Sequence, residues 1–135
     1  MSLQQEGRMS DKKVFEIPVP STSFIEQPSL MEEDGSLIIT FAYLNGKSRV
    51  RGKLLFLKPR SYRWRAEVHC TAWHIGNSYD AISEVMDSSW AQEIGNDTAK
   101  GWKDKWVLRH FKVYLDSWGA FEVLCEDFSF SEVPV

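Results

Sequence analysis

Apolar and polar residues alternate most regularly between Trp106 and Phe128. Val107, Phe111, Val113 and Leu115 alternate with Leu108, His110, Lys112 and Tyr114, the period-2 pattern of a strand with one buried face. Beyond Gly119 the pattern resumes with Phe121, Val123 and Cys125. If Asp116 and Ala120 close a loop of Ser117, Trp118 and Gly119, a β-hairpin results with glycine in the left-handed conformation. That register sets Leu115 opposite Phe121, Val113 opposite Val123 and Phe111 opposite Cys125, and it pairs Arg109 with Asp127 and His110 with Glu126. A second hairpin is expected from Ser36–Leu44 and Lys47–Lys58 around Asn45-Gly46, a dipeptide suited to a two-residue type I′ turn. Phe41 then meets Val50, Ile39 meets Gly52 and Leu37 meets Leu54. After Pro59-Arg60-Ser61 a third strand is predicted, with Trp64, Ala66, Val68, Cys70 and Ala72 on one side and Arg63, Arg65, Glu67, His69 and Thr71 on the other.

The period then changes. From Asp80 to Ile94 the apolar residues Ile82, Val85, Met86, Trp90 and Ile94 follow helical spacing, which predicts one amphipathic helix with Asp80 as N-cap and an end at Gly95-Asn96. Pro18, Pro20 and Pro28 exclude a helix interior or a central strand from residues 14–31, so this stretch reads as an extended segment lying along the body. Glu32-Glu33-Asp34-Gly35 reads as a surface turn, residues 1–13 as a flexible end that includes an expression leader if Met9 is the natural start, and the tail from Ser129 as surface chain. The expected fold is α+β: about five mainly antiparallel strands, two hairpins plus a third strand, with the helix inserted before the C-terminal hairpin, in one domain over residues 14–135. One helix of about 22 Å cannot cover five strands. Curvature, the 14–31 segment or a second subunit must hide the remainder.

Composition narrows the picture modestly. The chain has 135 residues, 43% hydrophobic and 26% charged, with a net charge of −3, which suits one folded domain. Six tryptophans are an excess that leans weakly toward binding. No run approaches the roughly 20 apolar residues of a membrane helix, and the N-terminus has no signal-peptide pattern, so a cytoplasmic location without membrane attachment is expected. Cys70 and Cys125 match no metal or redox spacing and read as reduced, buried thiols.

Charge is unevenly spread. Lys47, Arg49, Arg51, Lys53, Lys58, Arg60, Arg63 and Arg65 supply half of the 16 basic residues with no acid between them, a segment that could meet a polyanion. The acidic overall balance and the lack of any recognition signature argue against nucleic acid. On the outward strand faces, Arg51, Arg65, Glu67, His69, His110 and Tyr114 form a polar set, and Trp102 and Trp118 fall in connections where an exposed indole would anchor a partner. No nucleophile motif, phosphate loop or metal spacing accompanies them, so no cofactor, no metal and no catalytic residue is assigned. The expected role is a non-enzymatic binding protein that uses these residues on a protein partner, with a homodimer to cover the bare sheet. A small-molecule binder or enzyme with an aromatic-lined pocket stands as the alternative, and polyanion binding through residues 47–65 comes third.

Overall fold

In the computed structural model, residues 10–99 and 107–135 are described. They form nine strands in two antiparallel sheets with two short helices. The strands are β1 (Asp11–Glu16), β2 (Glu26–Glu33), β3 (Ser36–Asn45), β4 (Ser48–Leu57), β5 (Ser61–Arg65), β6 (Ala81–Val85), β7 (Arg109–Leu115), β8 (Gly119–Cys125) and β9 (Asp127–Pro134); the helices are α1 (Ala72–Ile75) and α2 (Ser89–Asn96). One sheet runs β1-β6-β7-β8-β5 and the other β2-β3-β4-β9. The expected α+β fold is therefore corrected to a mostly β architecture, and what covers the apolar face of each sheet is the other sheet.

Leu37, Ile39, Phe41, Leu54 and Phe56 from one sheet close on Ile82, Phe111, Val113, Leu115, Phe121 and Val123 from the other. The facing rings of Phe56 and Phe121 lie 5.5 Å apart at the centre. Phe15 of β1 reaches Phe128 and Phe130 of β9 at 6.1 and 5.1 Å, which joins the sheets along one side. Gly52 sits across from Phe41, where a Cβ would come within 2.7 Å of that ring; the missing side chain makes room for the phenyl.

Both hairpins form, each shifted by two residues from the expected register. Phe41 pairs with Gly52 and Leu37 with Phe56, so the loop is Gly46-Lys47, with only Gly46 at positive φ, 65°. Glycine at the first loop position suits a type II′ turn, which displaces the expected Asn45-Gly46 turn. Likewise Val113 pairs with Phe121 and Leu115 with Gly119, and the loop is Asp116-Ser117-Trp118. A shift of two preserves every inward face, which is why the apolar pattern could not distinguish the registers. The residues expected opposite Asp127 and Glu126 instead face Cys125 and Leu124; Arg109 still reaches Asp127 at 3.1 Å.

Other elements differ more. The stretch read as a helix from Asp80 splits into β6 and α2, because Ala81, Ile82, Ser83 and Val85 are buried on both faces of a covered strand and show no alternation. Asp80 takes φ 54° ahead of β6, and the N-cap of α2 is Ser88, whose Oγ accepts from the Ala91 N–H at 3.0 Å. The strand expected through Ala72 stops at Arg65 and pairs with β8 in the other sheet, not with β4; 3-10 turns at Glu67–His69 and Gly76–Ser78 flank α1. Residues 11–13, expected within the flexible end, open β1, and residues 14–31 hold the rest of β1 and most of β2, both at sheet edges, with Pro28 inside an irregularity between Glu26 and Ser29. The Asp34-Gly35 turn has both residues at positive φ, 52° and 79°, and the C-terminal stretch expected at the surface is β9, paired along β4. Among the described residues no helix is long and apolar enough to cross a membrane.

Candidate functional site

The outward face of the five-stranded sheet carries His110, Lys112 and Tyr114 on β7, Glu122 on β8 and Ser83 on β6, and all are buried rather than solvated. Trp73 of α1 and Trp90 of α2 pack against the His110 ring at 6.2 and 5.1 Å. Beneath this cover the charges satisfy one another. Arg63 of β5 grips Glu122 through Nε and Nη2, both at 3.0 Å. His110 Nε2 lies 2.7 Å from Glu122 Oε1, and His110 Nδ1 lies 2.7 Å from Ser88 Oγ. Burial opposes ionisation of Glu122, yet the hydrogen bonds from His110 and Arg63 and the positive charge of Arg63 outweigh it and hold the carboxyl at about 2. An ionised carboxylate only accepts, so Nε2 of His110 donates to it.

Lys112 is enclosed with its Nζ 2.5 Å from Asp11 Oδ2, 2.5 Å from the Trp73 carbonyl and 4.2 Å from the Trp73 ring centre. Ser78 and Ser83 hydroxyls meet at 2.6 Å. His74 Nδ1 accepts from the Thr71 backbone N–H at 3.0 Å and faces Thr71 Oγ1 at 2.9 Å. Burial and the positive charge of Arg65 pull the His74 imidazole below its ordinary range, with Glu122 opposing and Lys112 and Arg63 adding to the effect. The expectation that His110 and Tyr114 point to solvent is thus corrected: a strand covered on both faces buries polar residues too when each finds a partner.

A different assembly lies where the β7–β8 turn meets the end of β5. The Glu67 carboxylate accepts the Ser117 backbone N–H at 2.5 Å and the Tyr114 hydroxyl. Burial and that bond to Glu67 push the phenol up to about 12. Gly119 has φ 128°, and a Cβ there would sit 2.2 Å from the Arg65 carbonyl oxygen, so this glycine allows the turn to dock on β5. The Trp118 ring folds back against Trp64 and Phe121, with centroids 6.3 and 6.4 Å away, and Tyr79 meets Tyr114 edge-on at 5.6 Å. Around them Tyr62, Trp64, Arg65, Val68, His69 and Tyr79 are exposed. A recess of about 330 Å³ lies between Glu32 of β2 and Tyr62, and another of about 410 Å³ runs from Phe24 and Pro28 to Ser117.

The eight residues singled out from sequence therefore separate. Arg65, Glu67, His69, Tyr114 and Trp118 gather at this corner, His110 belongs to the covered layer, and Arg51 lies on the outward face of the other sheet, paired with Glu26 at 2.8 and 3.0 Å. Trp102 falls outside the described residues. The basic run is divided likewise: Arg49, Arg51 and Lys53 are on β4, while Arg63 and Arg65 are on β5 of the opposite sheet. Missed were Ser88, hidden by the misplaced helix start, and the exposed ring of Trp64, expected on the apolar side of its strand. Both thiols are free, Cys125 buried and Cys70 half-buried, and among the described residues no three His, Cys, Asp or Glu side chains gather as a metal site. Compared with known proteins, the chain matches no family model, no curated protein and no solved structure.

Proposed function

We propose that this is a binding protein whose contact surface is the corner formed by β5, the turn after it and the β7–β8 loop. One observation carries the reading: Tyr62 and Trp64 are 52% and 49% exposed on an edge strand, beside Val68 at 83%. Large rings left in water on an edge strand are the usual composition of an interface hot spot. The polar groups that would otherwise suggest a ligand pocket already have partners, Lys112 in Asp11 and the Trp73 carbonyl, Glu122 in Arg63 and His110. The partner is a protein, either a different chain or a second copy. Two copies joined symmetrically along β5 would bring arginines of one strand against those of the other, which disfavours that arrangement.

Sedimentation equilibrium at two concentrations reads self-association through the corner. Selection of displayed random peptides on the wild-type protein, with counter-selection on a Tyr62→Ala, Trp64→Ala double variant, reads recognition of a different chain. The expected result is association or peptide recovery that the double variant loses while its melting temperature holds. Binding that survives the double variant, or none in either experiment, contradicts the reading.

A further inference from the structure

We propose that Ser88 is a covalent nucleophile, accepting an acyl or phosphonyl group from a small activated ester, with His110 as its base and Glu122, braced by Arg63, as the positioning residue behind the base. This goes beyond the contact corner and does not depend on it. The chain sets up the serine locally. β6 ends at Val85, Asp87 takes φ 54°, and α2 begins directly after Ser88, so the hydroxyl stands at the tip of a tight strand-to-helix turn. β7 and β8, paired neighbours, deliver His110 and Glu122 behind it.

The distances are those of a working relay. Ser88 Oγ to His110 Nδ1 is 2.7 Å and His110 Nε2 to Glu122 Oε1 is 2.7 Å, inside the range for a nucleophile held by its base and a base held by a third group. In the neutral imidazole Nε2–H points at the carboxylate, which leaves Nδ1 free to take the serine proton. The Ala91 N–H donates to the same oxygen at 3.0 Å, and the amino-terminal end of α2 adjoins it; both lower the cost of negative charge on Oγ. A serine acting only as an N-cap needs neither the imidazole nor the carboxylate behind it.

Access limits the substrate. Ser88 is 7% exposed, His110 1% and Glu122 4%, while Asp87 and Ser89 on either side of the serine are exposed. A reagent must approach past these two and be small. In the step itself the Oγ–carbon bond forms, the bond from that carbon to the leaving group breaks, and the proton passes to His110 Nδ1 and on to the leaving group. Water then follows the same route and releases the acid.

The full-length protein treated with a small alkyl fluorophosphonate tests this. Here the Oγ–phosphorus bond forms and fluoride leaves. The intact mass is expected to rise by one phosphonyl group, mapped to Ser88, and Ser88→Ala is expected to stay unlabelled with its circular dichroism retained. Glu122→Gln keeps a carbonyl for Arg63 and His110 and is expected to slow labelling at least about tenfold; chemically denatured wild type serves as the unactivated reference should that variant not fold. With p-nitrophenyl acetate, wild type is expected to release about one equivalent of p-nitrophenolate in a burst, the signature of an acyl-enzyme. No adduct at Ser88, or modification no faster in the folded than in the denatured protein, overturns the proposal and leaves Ser88 a helix cap within a structural network.

Discussion

Two arginine–glutamate pairs in this molecule have nearly the same hydrogen-bond distances and different surroundings. On the outward face of the four-stranded sheet, Arg51 holds Glu26 at 2.8 and 3.0 Å, and the Glu26 side chain is 52% exposed. On the outward face of the five-stranded sheet, Arg63 holds Glu122 at 3.0 and 3.0 Å, and the Glu122 side chain is 5% exposed. The first pair competes with water and is expected to add little. In the second only the carboxylate is covered, since Arg63 is itself 40% exposed, and Glu122 is shared with His110, so losing Arg63 takes a partner from a buried charge. Cover, more than residue type, decides whether a polar group on these sheets is surface or scaffold.

The sharpest way to break the contrast is Glu122→Ala, which leaves Arg63 and His110 facing an empty site. It is expected to cost about 3–5 kcal/mol by chemical denaturation. Gly119→Ala forces a Cβ to within 2.2 Å of the Arg65 oxygen at a φ of 128°, and is expected to cost roughly 3–4 kcal/mol and to loosen β5 from the turn. Acid provides a graded version. The folded state holds Glu122 at about 2 against an ordinary 4.5, so the unfolded chain takes up that proton first. Its contribution, on the order of 3 kcal/mol, is complete above the ordinary value and is lost as pH falls toward 2. His74, pulled below its ordinary 6.5, acts in the same direction and begins to erode stability as pH falls below that value. Denaturation midpoints measured from pH 7 downward should fall in two stages, and Glu122→Gln should flatten the lower one. At the small end, Glu26→Ala is expected to change stability by less than about 1 kcal/mol.

Sequence alternation made the two long hairpins legible because their inward faces are apolar and β4 and β7 set Arg49, Arg51 and Lys53, and His110 and Lys112, on the opposite face. It misjudged β6, where both sides are buried and the periodic signal vanishes, and it put the polar face of β7 in solvent where Trp73 and Trp90 cover it. The single-sheet reading failed at one point: nothing in Pro59-Arg60-Ser61 reveals that the chain crosses there from one sheet to the other, so β5 was joined to β4 instead of β8. Once that crossing is known, the uncovered sheet ceases to be a problem, since each sheet covers the other. At the corner, Arg65, Glu67 and His69 were grouped from sequence but Trp118 was read apart from them, because only the docking of Gly119 against Arg65 brings the turn there. Ser88 was invisible for a different reason: its role as a cap depends on a helix start eight residues beyond the expected one.

The most direct measurement is a pair of double-mutant cycles, Arg63 with Glu122 and Arg51 with Glu26, each member replaced by alanine and the coupling read from chemical denaturation. Cover predicts a coupling of about 2 kcal/mol or more for the Arg63 pair and less than about 0.5 kcal/mol for the Arg51 pair. Equal couplings would contradict the account, since two pairs at nearly the same distances would then be worth the same whether covered or bare.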